Sequence, residues 1–223
     1  MSWDYRGIDV TKNTQVIDFS MRKQPVQQRS KALVAALLDA TARLLVTIGY
    51  IAITTNKVAE KAGVGIGSLY EYFPNKESLV AALIERNSME IVKEIQLGME
   101  QALQKPHEEA LRFWLEKMVD ALDERRDEVR VVIFEVPFLR QMPLLETMPK
   151  TLMNVAFSAH KRANDRVQFT YPKAAVYHLT SMVSAAIINM VVHPPQHIPR
   201  EILLDELAEL ILRAMEGEVK TTG

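Results

Sequence analysis

Apolar residues return every three or four positions along almost the whole chain, a period that admits helices and little else. Leu33, Leu37, Ala40, Leu44 and Ile48 set it first, and Gly49 follows where a helix end favours a left-handed residue. Thr54 and Thr55 can cap a short helix running to Ala62, with Val58, Ala59 and Ala62 inward. Asn75 is a good cap for a longer helix striped by Leu79, Ala82, Leu83 and Val92. Pro106 opens another, striped by Leu111, Trp114, Leu115, Met118, Val119 and Leu122. Leu145, Met148, Leu152, Val155, Ala156 and Ala159 form a further stripe. Two last helices are expected over roughly 173–193 and 200–216, closed by Gly217. The β-branched run "EVRVVIFEVPF" (128–138) could pass for a strand, but it has no partner strand anywhere. It is expected to be a buried helix ended by Pro137, in an all-α chain.

Composition narrows the class. The 223 residues include no cysteine, which excludes disulfides and thiolate chemistry and suggests a reducing cytosol. The longest apolar run, Met182 to Val192, is broken by Ser184 and Asn189 and falls short of a membrane span. The start, "MSWDYRGIDV", lacks the basic-then-apolar order of a signal peptide. A cytoplasmic chain with no membrane partner is the expectation. Net charge is −1, yet residues 1–90 hold 11 Lys/Arg against 9 Asp/Glu. Within 22–43 five basic residues (Arg22, Lys23, Arg29, Lys31, Arg43) face one acid, Asp39. Such a patch can steer toward phosphates even on an acidic chain; residues 1–21 also read as a solvated tail.

The stretch "GVGIGSLYEYFPNKES" (63–78) carries three glycines at alternate positions. A dinucleotide fingerprint needs glycine at its sixth position and a strand before it. Ser68 stands at that sixth position, and "NKVAEKA" reads as a short helix. A helix over 55–62, a turn at Gly63–Val64 and a second helix over about 66–72 instead make a helix-turn-helix. Gly63 suits the left-handed turn, Gly65 the N-cap, and Gly67 lets the backbone approach something closely, such as a phosphate.

The segment "TTNKVAEKAGVGIGSLYEYFPNKESLVAAL" (54–83) resembles the DNA-binding domain of the tetracycline-repressor (TetR) family, and the likeness covers about residues 26–92. The resemblance implies that Ile66, Gly67, Ser68, Tyr70 and Tyr72 of the second helix face DNA, with Leu69 and Phe73 inward. It implies phosphate contacts from Thr55, Asn56 and Lys76. Members usually carry a polar residue where Gly65 and Ile66 stand, so Ile66 offers only apolar contact, for example to a thymine methyl. Glu71 either accepts from a cytosine amino group or points away. Residues 1–25 are then a flexible extension, 26–74 the DNA-binding domain, and 75–223 a helical domain for effector binding and dimerisation.

For that larger part the resemblance implies a homodimer on palindromic double-stranded DNA and a small-molecule pocket. Trp114, Met118, Phe134, Phe138, Met153 and Phe157 can line an apolar cavity, although ordinary helical core explains any one of them as well. His160 and His178 are polar groups that could meet a ligand. Ser181, Ala185, Ile188, Val192, Leu203 and Leu207 suit a helix-packed dimer interface, or else close the chain's own core. No cofactor and no metal is expected, since no Glu-x-x-His pair and no cysteine is present. The expected function is a ligand-responsive repressor. The alternatives are a DNA-binding protein without an effector and, from another class, an all-α enzyme with an accessory helix-turn-helix.

Overall fold

A computed structural model describes residues 18–142 and 171–216. The expected helix around 145–159, and Met153, Phe157 and His160 with it, lie outside the described residues, as does Gly217. Eight α-helices and one 3-10 turn, and no strand, make up the described residues: α1 (Gln28–Ala52), α2 (Thr55–Ala62), α3 (Ile66–Tyr72), α4 (Lys76–Ala102), α5 (His107–Asp123), α6 (Arg126–Glu135), the turn Leu139–Gln141, α7 (Pro172–Val192) and α8 (Arg200–Glu216). The valine-rich run is a helix, because with no second strand its backbone groups can only pair within itself.

Two apolar cores hold these helices. The first gathers Leu37, Leu45, Val58, Leu69, Phe73, Leu79 and Leu83 from α1 to α4, together with Val131, Val136, Phe138 and Met142. The second gathers Ile91, Ile95, Trp114, Leu115, Met118, Ile187, Val191, Leu204 and Ile211. The 27-residue α4, about 40 Å long, contributes to both. Its start is fixed by a capping box: Asn75 Oδ1 accepts the Ser78 N–H at 2.7 Å, and Ser78 Oγ faces the Asn75 N–H. The boundary expected at residues 74/75 therefore falls inside the first core. Phe19 and Met21 also pack on that core, so residues 18–25 are part of the fold and the expected flexible extension is corrected for them.

Contrary to the sequence expectation, α1 and the Lys173–Val192 stretch of α7 are long and apolar enough to cross a membrane by length and composition alone. Leucine and alanine in α1, and alanine, valine and isoleucine in α7, carry them past that mark despite their polar interruptions. In α1 much of this apolar surface is turned into the first core.

Glycine decides the backbone twice. Gly49 (φ 73°, ψ 167°) bends the end of α1, and Gly63 (φ 67°) ends α2. A methyl at Gly63 would meet nothing within 4 Å, whereas at Gly49 it would stand 2.6 Å from Glu135 Oε2. Gly63→Ala should cost about 1–2 kcal/mol of stability. Gly49→Ala should cost more, because its φ and ψ lie where essentially only glycine is found, while the Glu135 carboxylate can swing aside. Thermal melting of the two variants checks this; equal losses would contradict the backbone argument.

Candidate nucleic-acid interface

The surface begins with how a seven-residue helix is held. Thr54 Oγ1 accepts the Lys57 N–H at 3.3 Å and starts α2. Gly63 and Val64 return their N–H groups to Glu60 and Ala59, closing α2 at 3.1 and 2.9 Å. The chain then enters α3 through Gly65, whose carbonyl accepts from Ser68 and Leu69. Leu69, Tyr72 and Phe73 turn inward onto the first core, with Val58 and Ala59 of α2 buried in the same cluster.

What remains outside is a compact face. Ile66 and Tyr70 are each 39% exposed, Gly67 is open with no atom within 4 Å of a would-be Cβ, and Ser68 is half-buried. Asn56 is exposed and Thr55 half-buried at the start of α2. The Tyr70 hydroxyl and Thr55 Oγ1 lie 3.0 Å apart, so the two helices present their hydroxyls as one pair. Paired hydroxyls of this kind suit phosphate oxygens, while Ile66 and Gly67 leave room for base edges.

Two expected contacts are corrected. Tyr72 is 7% exposed and its ring lies under the Lys23 ammonium, 4.6 Å from the centroid. Residues two apart on a helix point some 200° apart, so Tyr72 cannot share the face of Tyr70. Lys76 is turned back onto α1 rather than outward: its Nζ donates to the Tyr50 carbonyl at 3.3 Å and sits 4.3 Å above the Tyr50 ring. Glu71 points to the Lys23 ammonium at 2.7 Å, and this partner holds that ammonium above the usual lysine range.

Residues that the sequence did not single out complete the site. Tyr50 is buried, its hydroxyl donates to Glu77 Oε1 at 3.1 Å, and its ring meets Phe138 edge-on at 5.9 Å. Burial first, and then the Glu77 carboxylate, push its phenol well above the ordinary range, so it stays a donor. Glu135, at the end of α6, accepts the Tyr50 N–H at 3.0 Å.

The expected pocket residues are scattered. Trp114 and Met118 are closed into the second core, where Trp114 Nε1 donates to the Ile95 carbonyl at 3.2 Å. Phe138 belongs to the first core, at 4.8 Å from the Phe19 ring, and is not among the residues that line the cavity beside Phe134. Phe134 is 58% exposed and, with Arg130, Val131, Glu135 and His193, lines an open cavity of about 250 Å³. His178 is exposed beside Tyr177. Among the expected interface residues, Ser181 and Ala185 are exposed, and Leu203 is half-buried. Ile188 and Leu207 pack partly on the second core. Val192 is 7% exposed and packs within that core, so it offers little surface to a partner.

The described residues thus present an exposed face on the second helix of a helix-turn-helix. Residues 37–83 match the family described as bacterial regulatory proteins, tetR family. Over 52 residues it is 46% identical to an uncharacterized HTH-type transcriptional regulator, YvkB, of Bacillus subtilis (strain 168), covering 23% of this chain and 28% of that protein. Over 50 residues it is 44% identical to the HTH-type transcriptional repressor KstR of Rhodococcus jostii (strain RHA1), covering 22% and 24%. The match thus spans about a quarter of the length of these relatives. The fold continues further. The fatty acid degradation regulator FadR of Bacillus halodurans superposes with a TM-score of 0.64 over 84% of this chain and 96% of that one, at 20% identity. All three are described as regulators.

Tyr70→Phe should weaken binding to a cognate duplex about tenfold, the worth of one hydrogen bond to a charged oxygen. The melting temperature should stay near wild type, because the lost bond to Thr55 is exposed. Anisotropy titration and thermal melting read both; unchanged affinity would remove Tyr70 from the interface.

Proposed function

We propose that this chain is a ligand-responsive transcriptional repressor that binds a palindromic operator as a homodimer in the cytoplasm and is released by a small apolar or aromatic molecule. The observation that carries the DNA-binding part is the open face of Ile66, Gly67 and Tyr70 beside Thr55. Repression is favoured by the kinship with a repressor across the helix-turn-helix.

Dimerisation is supported by the outer face of α7, where Tyr177 and Met182 are 62% and 65% exposed beside Ser181 and Ala185. Ile202 and Leu210 on α8 add 55% and 52% exposed apolar side chains. A two-fold pairing would cover both helices and set two reading heads one DNA turn apart.

The response to a ligand rests on α6. Its Glu135 lines the 250 Å³ cavity with Phe134 and His193, and the same carboxylate holds the bent end of α1. An occupant that favours one position of α6 therefore favours one position of α1, and with it of α2 and α3. Phe134 and His193, 5.2 Å between ring centroids, offer aromatic walls to such a molecule.

Selection of binding sites from random duplex DNA with the full-length chain tests this reading. Inverted repeats with half-sites 10–10.5 bp apart are expected; enrichment of nothing, or of single half-sites only, overturns it. Met182→Asp should reduce the mass in light scattering from near twice the chain's 25.3 kDa to the single value and abolish tight operator binding. Glu135→Ala should lower stability by about 1–3 kcal/mol, since it orphans the Tyr50 N–H, and should flatten any effect of ligands on DNA affinity. An undiminished ligand effect in that variant would reject the α6 route.

A further inference from the structure

We infer that the segment Ser20–Lys23, packed along the end of the recognition helix, is a second DNA-contacting element that grips the phosphates beside the groove occupied by α3. This rests on the DNA-binding reading above and extends it to residues outside the matched stretch, which begins at residue 37.

The segment is held in place from three sides. Phe19 and Met21 pack on the first core, Phe19 against the Phe138 ring at 4.8 Å. The Arg22 N–H donates to the Tyr72 carbonyl at 2.8 Å. Asn75 Nδ2 donates to the Asp18 carbonyl at 3.3 Å. So anchored, two exposed cations meet the end of α3. Arg22 Nη1 donates to the Tyr70 carbonyl at 2.9 Å, and Lys23 Nζ to Glu71 Oε2 at 2.7 Å.

The electrostatic consequence is specific. The C-terminus of a helix is its negative end, and α3 adds Glu71 there. Left bare, that end would repel the phosphates it must approach. An α-helix 10–12 Å across fills a major groove about 12 Å wide, so its flanks lie against both phosphate walls. Arg22 and Lys23 reverse the sign at this point. Each spends one donor on the protein in the bonds named, and the guanidinium has five in all and the ammonium three. Donors remain for phosphate oxygens. From residue 19 to 36 the chain carries four cations (Arg22, Lys23, Arg29, Lys31) and no acid.

The test uses the full chain and a duplex recovered by selection, with a scrambled duplex of equal length as control. Arg22→Gln/Lys23→Gln should weaken binding to the selected duplex at least tenfold. It should also make the slope of log affinity against log salt shallower by about 1.8 per reading head, 0.9 for each lost phosphate contact, with melting close to wild type. Unchanged affinity and slope overturn the proposal. So does weaker binding at an unchanged slope, which would make the pair a helix cap only. Glu71→Gln is the second arm: removing an exposed carboxylate beside the phosphates should tighten binding, and no change or a loss would count against the proposal. Failure of the selection itself, or an unaffected Tyr70→Phe, would instead strike at the DNA-binding reading.

Discussion

A helix of seven residues does not persist in water on its own, because nucleation costs more than so few bonds return. The recognition helix α3 has that length, and its shape is therefore imposed by what it buries. Leu69, Tyr72 and Phe73 form its inward face at spacings of three and four, and all are under 10% exposed. Burying them is worth several kcal/mol at ordinary transfer values. The same burial fixes which side of α3 is left for a partner. The face proposed to meet DNA is thus a by-product of the core, and any change that loosens Leu69 or Phe73 would act on it without touching its outer side chains.

That core is closed by Tyr50 as much as by aliphatic packing. It stands at the bend made by Gly49, with its carbonyl bonded to Lys76, its hydroxyl to Glu77 and its N–H to Glu135. Three elements, the end of α1, the start of α4 and the end of α6, meet on one residue. A movement in any of them changes a bond that another depends on. The α4 start is further locked by the Asn75 box, so the softer joint is α6, held there by one carboxylate and by Val131, Val136 and Phe138 in the first core.

Local features were the legible ones. Gly49, Gly63, Gly65, Thr54 and Asn75 each do what their residue type allows in a stretch of four or five neighbours, and the helix-turn-helix follows from them. Features that depend on distant chain were not legible. Phe138 lies more than fifty residues from the α1 to α4 residues of the core it joins, and its place among aromatics of the larger part is the natural reading of an unpartnered helix stripe. Phe19 and Met21 show no period, so nothing in the tail announces that it packs. Val192 sits on an amphipathic helix with two apolar sides, and periodicity cannot say which side meets a neighbour. Tyr72 is different: the 200° between it and Tyr70 was available from helix geometry alone, and a hydroxyl on both obscured it.

Charge completes the account of how a chain with a net charge of −1 can approach DNA. Many carboxylates of the larger part are committed to cations there. Glu90 and Glu94 meet Arg125 at 3.2 and 3.1 Å, Asp205 meets Arg112 at 2.8 Å, and Asp120 meets Arg200. These pairs lie along the half of α4 remote from α3 and on the helices beyond it. Screening at physiological salt acts within about 8 Å, far less than the 40 Å of α4. A phosphate at α3 therefore senses Arg22, Lys23 and the exposed N–H groups nearby, and hardly senses the acidic surplus. Net charge is a property of the chain; the field at α3 is a property of the segments around it, and residues 18–31 and 54–76 carry seven Lys/Arg against three Asp/Glu.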